Sequence, residues 1–231
     1  MLLRTVAATA LAMTMLAPAA VARTDIVGGG NAPATPWGAQ VLVAVPGGFG
    51  FACSGTIIGA RWVLTAAHCV AASTTAMQVR IGSNNLGGGV AADVDQRKKS
   101  PTGDVALLHL AKDVTTTFSK LGTADPATGA TNQVYGWGFT DADGPLSPTL
   151  KVANVKVTGT STDNAGGKAI KSVGVTGSAW KGDSGGPQVA NGLQVGVAST
   201  VQNQDGTNTK GTMNYASVAA NRAWIKTTSG V

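Results

Sequence analysis

From Ile26 onward, short runs rich in Val, Ile, Leu and Thr are cut repeatedly by clusters of Gly, Pro, Asn and Asp. This punctuation limits the fold more than any other feature. Gly and Asn supply left-handed turns, Pro fixes φ, and short β-branched runs suit strands better than helices. Val41 to Val45, Thr56 to Ile58, Trp62 to Leu64, Met77 to Ile81, Val105 to Leu110, Val134 to Tyr135, Leu150 to Val157 and Leu193 to Ala198 all read as strands. The 32 glycines and 9 prolines follow no three-residue period, which excludes collagen. Helical spacing is convincing only near the end, where Val218 and Ile225 are seven apart and Ala220 and Trp224 four apart, so a C-terminal helix is expected. The body is therefore all-β, with two β-barrels or a sandwich as candidates. Thr123 to Thr131 is the best linker between halves, and no internal repeat is evident.

At 231 residues and 43% hydrophobic, the chain can bury a sizeable core. Its net charge of +6 comes from 17 Lys and Arg against 11 acids, none of them Glu, so the basicity reflects missing acids more than massed bases. Arg4, the apolar run from Val6 to Leu16, Pro18 and then Ala20-Val21-Ala22 read as an export signal over residues 1–22. The run falls short of the ~20 residues that span a bilayer, so stable membrane association is not expected. Export puts the two cysteines, Cys53 and Cys69, in an oxidising compartment, where they can pair in one way. A loop of that size is worth about 3 kcal/mol. Two cysteines with two histidines make a poor metal site, and no metal or cofactor is expected.

Three segments carry chemistry: Thr65-Ala66-Ala67-His68-Cys69, Gly103-Asp104-Val105-Ala106, and Gly182-Asp183-Ser184-Gly185-Gly186-Pro187. Each has a bland reading when taken alone. His68 suits a core histidine beside a disulfide, Asp104 a loop end, and Gly182 to Pro187 a surface turn. Together they supply a base, an orienter and a nucleophile in the chain order His, Asp, Ser.

On these residues the chain resembles the chymotrypsin (trypsin-like) family of serine proteases, in a compact secreted form of bacterial style. Ile26-Val27-Gly28-Gly29 is similar to the family's activated amino terminus, Cys53-Ser54-Gly55-Thr56 and Leu64 to Cys69 to its histidine region, and Gly136-Trp137-Gly138 to the opening of its second barrel. The resemblance implies two antiparallel Greek-key β-barrels with a C-terminal α-helix, residues 26–125 forming one barrel and 126–231 the other with the helix. It implies a secreted, monomeric endopeptidase acting on proteins and peptides, open to proteinaceous inhibitors and binding no nucleic acid. Ser184 would be the nucleophile, His68 the base and Asp104 the orienter, with the N–H groups of Gly182 and Ser184 as the oxyanion hole. Loss of Arg23-Thr24-Asp25 would free the Ile26 amine to pair with Asp183. Ser199 would support Asp104 and line the substrate backbone, while Ser178, Val201 and Met213 would line a primary pocket suited to small apolar residues. A histidine base and a paired amine together imply a bell-shaped activity profile with an optimum around pH 7.5 to 9.

The departures are equally specific. The family's second-barrel disulfides are missing, and Trp180 stands where a cysteine usually lies. The stretch between Ile81 and Asp104, read as a short loop without Glu, offers nothing to the calcium that some relatives hold there. Arg97-Lys98-Lys99 reads as a solvated loop tip. Its other reading, with the basic charge, is a noncatalytic polyanion-binding or adhesion protein on a protease scaffold. An esterase using the same triad is a further alternative.

Overall fold

The computed structural model describes residues 26–141, 144–203 and 206–231; the expected signal at 1–22 and propeptide at 23–25 lie outside them. One barrel is built from β2 (Gly38–Val45), β3 (Gly48–Gly59), β4 (Trp62–Thr65), β5 (Met77–Ile81), β6 (Val90–Lys99) and β7 (Ala106–Leu110), closed in the order β2-β3-β4-β7-β6-β5. The other comprises β8 (Thr131–Gly136), β9 (Lys151–Thr162), β10 (Lys168–Gly174), β11 (Pro187–Ala190), β12 (Leu193–Gln202) and β13 (Thr212–Ser217), ordered β9-β10-β13-β12-β11-β8 and closed by β9–β8 pairing. Each barrel thus joins its third strand to its sixth in the same Greek-key connection, although no sequence repeat announces it.

Side-chain alternation explains the strands that the sequence reveals. In β5, Met77, Val79 and Ile81 are buried while Gln78 and Arg80 are not, the period of two that a half-covered strand requires. In β7, Ala106, Leu107 and Leu108 are buried in succession because the barrel and its neighbour cover both faces. All eight expected strands fall on observed ones, most of which run longer.

Two expectations are corrected here. The stretch after Ile81 is not a plain loop, because β6 fills most of it, paired to β5 and β7. Arg97-Lys98-Lys99 is consequently the end of a strand rather than a loop tip. The Arg97 guanidinium donates to the carbonyls of Ala71, Ala72 and Thr75, so only Lys98 and Lys99 remain as exposed bases.

The ends of the described chain cross over. Ile26 packs into the second barrel's core, Val27 bridges to Ser178, and β1 (Gly30–Asn31) pairs with β9. The terminal helix α1 (Val218–Ser229), capped by Ser217 Oγ accepting from Ala220 N–H at 3.0 Å, sends Val218 and Ile225 into the first barrel's core. Ala220 is exposed, and the third buried position is Asn221. Each barrel is therefore strapped by a segment from the far end of the sequence, which fixes the seam where the site lies.

Candidate active site

The disulfide Cys53–Cys69 ties β3 to the 3-10 turn Ala67–Cys69, and His68 rides on that turn. Asp104 sits just before β7 and is 1% exposed, against 29% for the His68 side chain. Its Oδ1 accepts the His68 backbone N–H at 2.9 Å, and its Oδ2 lies 2.6 Å from His68 Nδ1. A carboxylate only accepts, so Nδ1 carries the hydrogen and Nε2 is left as the ring's free acceptor. From the second barrel, Ser199 Oγ donates to Asp104 Oδ2 at 2.6 Å. Burial alone would raise the Asp104 carboxyl, but the hydrogen bonds from His68 and Ser199 outweigh it and hold the group below the usual carboxylate range.

Ser184 comes to this turn from the opposite barrel. Its carbonyl accepts Ser54 N–H at 2.8 Å, and Ser54 Oγ donates to the Gly182 carbonyl at 3.1 Å. Gly185, at φ 79°, lies so close to the His68 segment that a Cβ there would meet Thr65 Oγ1 at 2.1 Å. Only glycine lets the chain pass. Among the described residues, the Gly182 and Ser184 N–H groups have no acceptor, and Ser184 Oγ makes no hydrogen bond. The structure thus joins His68, Asp104 and Ser199 directly and seats Ser184 beside them without a hydrogen bond to His68.

Asp183 is 1% exposed, with Oδ1 accepting Gly138 N–H at 2.8 Å and Oδ2 accepting Trp180 N–H at 2.8 Å. No cation pairs with it among the described residues. Burial pushes its carboxyl up to about 7 despite those two bonds. Ile26 is equally buried and adopts φ 41°, a left-handed conformation that a β-branched residue holds only under strain.

Beside Ser184 lies a pocket of about 120 Å³ lined by Ala179, Trp180, Lys181, Asp183, Ser184, Ala198, Ser199 and Val201. That is well below the ~300 Å³ at which drug-sized sites begin, so it suits a small side chain. Two expected lining residues are not on its surface. Ser178 is fully buried, with Oγ donating to the Asn208 carbonyl at 2.6 Å, and Met213 is packed in the core with Sδ 3.1 Å from Ala179 N. Both are packed behind the wall. Larger hollows of about 390 Å³ beside Trp37 and about 470 Å³ beside Asn132 contain no histidine, acid or cysteine, and the chemistry lies elsewhere. Among the described residues, the metal-ligand types that cluster are Cys53, His68 and Cys69, and both sulfurs are already bonded to each other.

Sequence reasoning missed Asp163, whose Oδ2 accepts the Asp104 backbone N–H at 2.8 Å, and Asn221, whose Oδ1 accepts from Ser100 Oγ at 2.6 Å. Asp163-Asn164-Ala165-Gly166-Gly167 is a legible turn, but nothing in it reports a partner 59 residues away.

The family model described as Trypsin matches residues 26–225. Trypsin alpha-4 of Lucilia cuprina is 34% identical, the alignment covering 75% of this chain and 76% of the relative. Trypsin 5G1 of Aedes aegypti is 34% identical over 89% of this chain and 85% of its own. Among solved structures, neuropsin, a serine protease of mouse brain, has a TM-score of 0.74 at 24% identity, covering 87% of this chain and 98% of that one, a likeness of fold alone. A mutant of human heparin binding protein has a TM-score of 0.74 at 27% identity, covering 87% and 95%.

Proposed function

Because this chain belongs to the trypsin family of serine endopeptidases, we propose that His68, Asp104 and Ser184 form its catalytic triad and that it cleaves peptide bonds through an acyl-enzyme intermediate. The observation that carries this reading is the buried Asp104 carboxylate bonded to His68 Nδ1 at 2.6 Å, which leaves Nε2 as the free acceptor of the ring. Ser184 Oγ attacks the scissile carbonyl, His68 takes its proton and returns it to the leaving amine, and Asp104 steadies the imidazolium. The unpaired N–H groups of Gly182 and Ser184 stabilise the oxyanion, each such donor being worth roughly 3 to 4 kcal/mol.

Maturation follows the same reading. Residues 1–22 direct export, residues 23–25 are then removed, and the Ile26 amine turns inward onto Asp183, leaving residues 26–125 and 126–231 as the two halves of a secreted monomer. The buried, unpaired Asp183 and the strained Ile26 both support it. The noncatalytic polyanion-binding alternative loses Arg97 from its basic triplet to the carbonyls of Ala71, Ala72 and Thr75, which leaves it Lys98 and Lys99.

The primary pocket favours Ala and Val. Val201 narrows its mouth and Met213 fills the space behind Ala179, with Ser178 in place of a countercharge for Lys or Arg. Matched peptide substrates ending in Ala, Val, Leu, Phe and Lys test this preference, with casein and short-chain esters separating protease from esterase. We expect Ala and Val to exceed Phe and Lys by about tenfold or more in kcat/KM, since each misfitted methylene costs ~1 to 3 kcal/mol. Val201→Gly should narrow the gap toward Phe. Met213→Gly should narrow it further at a stability cost of about 2 to 5 kcal/mol, because a fully buried side chain is lost. Faster cleavage after Lys or Phe than after Ala in the unmutated enzyme contradicts the assignment.

A further inference from the structure

Resting on the triad reading above, we infer that Asp163 is a positioning residue that holds Asp104 in register across the barrel seam. Asp163 opens the turn between β9 and β10 and is 6% exposed. Of its two carboxylate oxygens Oδ1 serves that turn, accepting Ala165 N–H at 2.9 Å and Gly167 N–H at 2.8 Å beside the backbone bonds Asp163 N–H to Gly167 carbonyl and Gly166 N–H to Asp163 carbonyl. The other oxygen is used elsewhere, accepting the Asp104 backbone N–H at 2.8 Å.

A neutral asparagine would make the same turn without burying a carboxyl group, which is costly. Only a carboxylate offers an acceptor on both sides. The second acceptor oxygen at 163 therefore serves Asp104 rather than the turn.

Two independent contacts bring the same turn to the same target. Asn164 N–H donates to Ser199 Oγ at 2.9 Å, and Ser199 passes its own hydrogen to Asp104 Oδ2 at 2.6 Å. Gly167 abuts the loop that carries Asp104, so that a Cβ there would lie 2.3 Å from the Thr102 carbonyl and 2.6 Å from Gly103 Cα. Asp104 is gripped at its backbone by Asp163 and at its carboxylate by Ser199, while His68 donates to the carboxylate twice. A turn of the second barrel thus sets the aim of a side chain belonging to the first.

The experiment uses enzyme beginning at Ile26 and measures kcat, KM and Tm for Asp163→Asn alone and combined with Asp104→Asn. Asp163→Asn keeps the turn but faces Asp104 N–H with a second donor. Its kcat should fall about 10- to 100-fold, the cost of a small misplacement of a reacting group, with KM within about twofold. In the Asp104→Asn background the same change should add little, since it acts through Asp104. Gly167→Ala is the second probe. Gly167 has no left-handed φ, so a methyl there acts through its clash with the Thr102 carbonyl, Gly103 Cα and Asp163 Oδ2 (2.8 Å), which displaces Asp163 from the Asp104 loop, and the same loss of kcat at unchanged KM is expected. A folded Asp163→Asn enzyme with unchanged kcat, or one whose loss adds fully to that of Asp104→Asn, overturns the inference while the triad reading stands. If Asp163→Asn does not fold, unchanged kcat in Gly167→Ala overturns it instead. An unmutated enzyme that hydrolyses nothing overturns the triad reading and the inference with it.

Discussion

Asp104→Asn should lower kcat about 10⁴-fold with little change in KM or folding, the loss expected when a triad keeps its shape but holds the wrong imidazole tautomer. Asp104 accepts three hydrogens in the structure: the His68 backbone N–H, the hydrogen on Nδ1, and the Ser199 hydroxyl. An amide can accept some of these but must present N–H to at least one. If it faces Nδ1, that nitrogen becomes the acceptor, Nε2 carries the hydrogen, and the ring can no longer take the Ser184 proton. The fold should survive because the substitution preserves shape, with some stability lost, since the carboxylate is held below its usual range and is favoured in its charged form. Turnover of an Ala-ending peptide at pH 8, with Tm as the fold control, checks the prediction. A loss under about a hundredfold in a folded protein contradicts the role given to Asp104.

The second large effect separates the chain that retains Arg23-Thr24-Asp25 from the form beginning at Ile26. In the described structure, burial raises the Asp183 carboxyl to about 7. Between the ordinary carboxylate value of about 4 and that value, the folded chain keeps a proton that the unfolded chain has lost. Stability therefore falls as pH rises through this window and levels off above it, by on the order of 4 kcal/mol for a shift of about three units. On the proposed pairing with the Ile26 ammonium, the carboxylate is favoured in its charged form and the penalty disappears. Cleavage also frees Ile26 from its left-handed φ, a strain of order 1 to 3 kcal/mol. The longer form should lose about 10 °C in Tm relative to the Ile26 form between pH 4.5 and 7.5, and it should be nearly inactive. Asp183→Asn should flatten the pH dependence of the longer form and abolish activity in the shorter one. Parallel Tm curves for the two forms contradict the pairing.

What the sequence disclosed and what it hid divide along physical lines. Strands with apolar alternation, such as Met77–Ile81, were legible. β6 was not, because Ala92 is its one buried residue and pairing to both neighbours makes it a strand. β10, β11 and β13 are short and interrupted by polar residues, and their state is likewise set by partners far away in the chain. The residues proposed for the triad were legible as candidates because they sit in three local motifs. Asp163 and Asn221 were not, since their roles exist only where a turn and a helix from one end of the chain meet the Asp104 loop. Sequence position suggested Ser178 and Met213 for the pocket, but could not tell a side chain on the wall from one packed behind it.

The central claim is that Ser184 is a nucleophile activated by His68. Treating the Ile26 form at pH 8 with a fluorophosphonate and mapping the adduct by peptide mass spectrometry tests it most directly. The account predicts one adduct per chain, on Ser184, formed at least about a hundredfold more slowly in His68→Ala and absent in Ser184→Ala. A folded protein that takes no label, or that carries it on another serine with Ser184 untouched, contradicts the account.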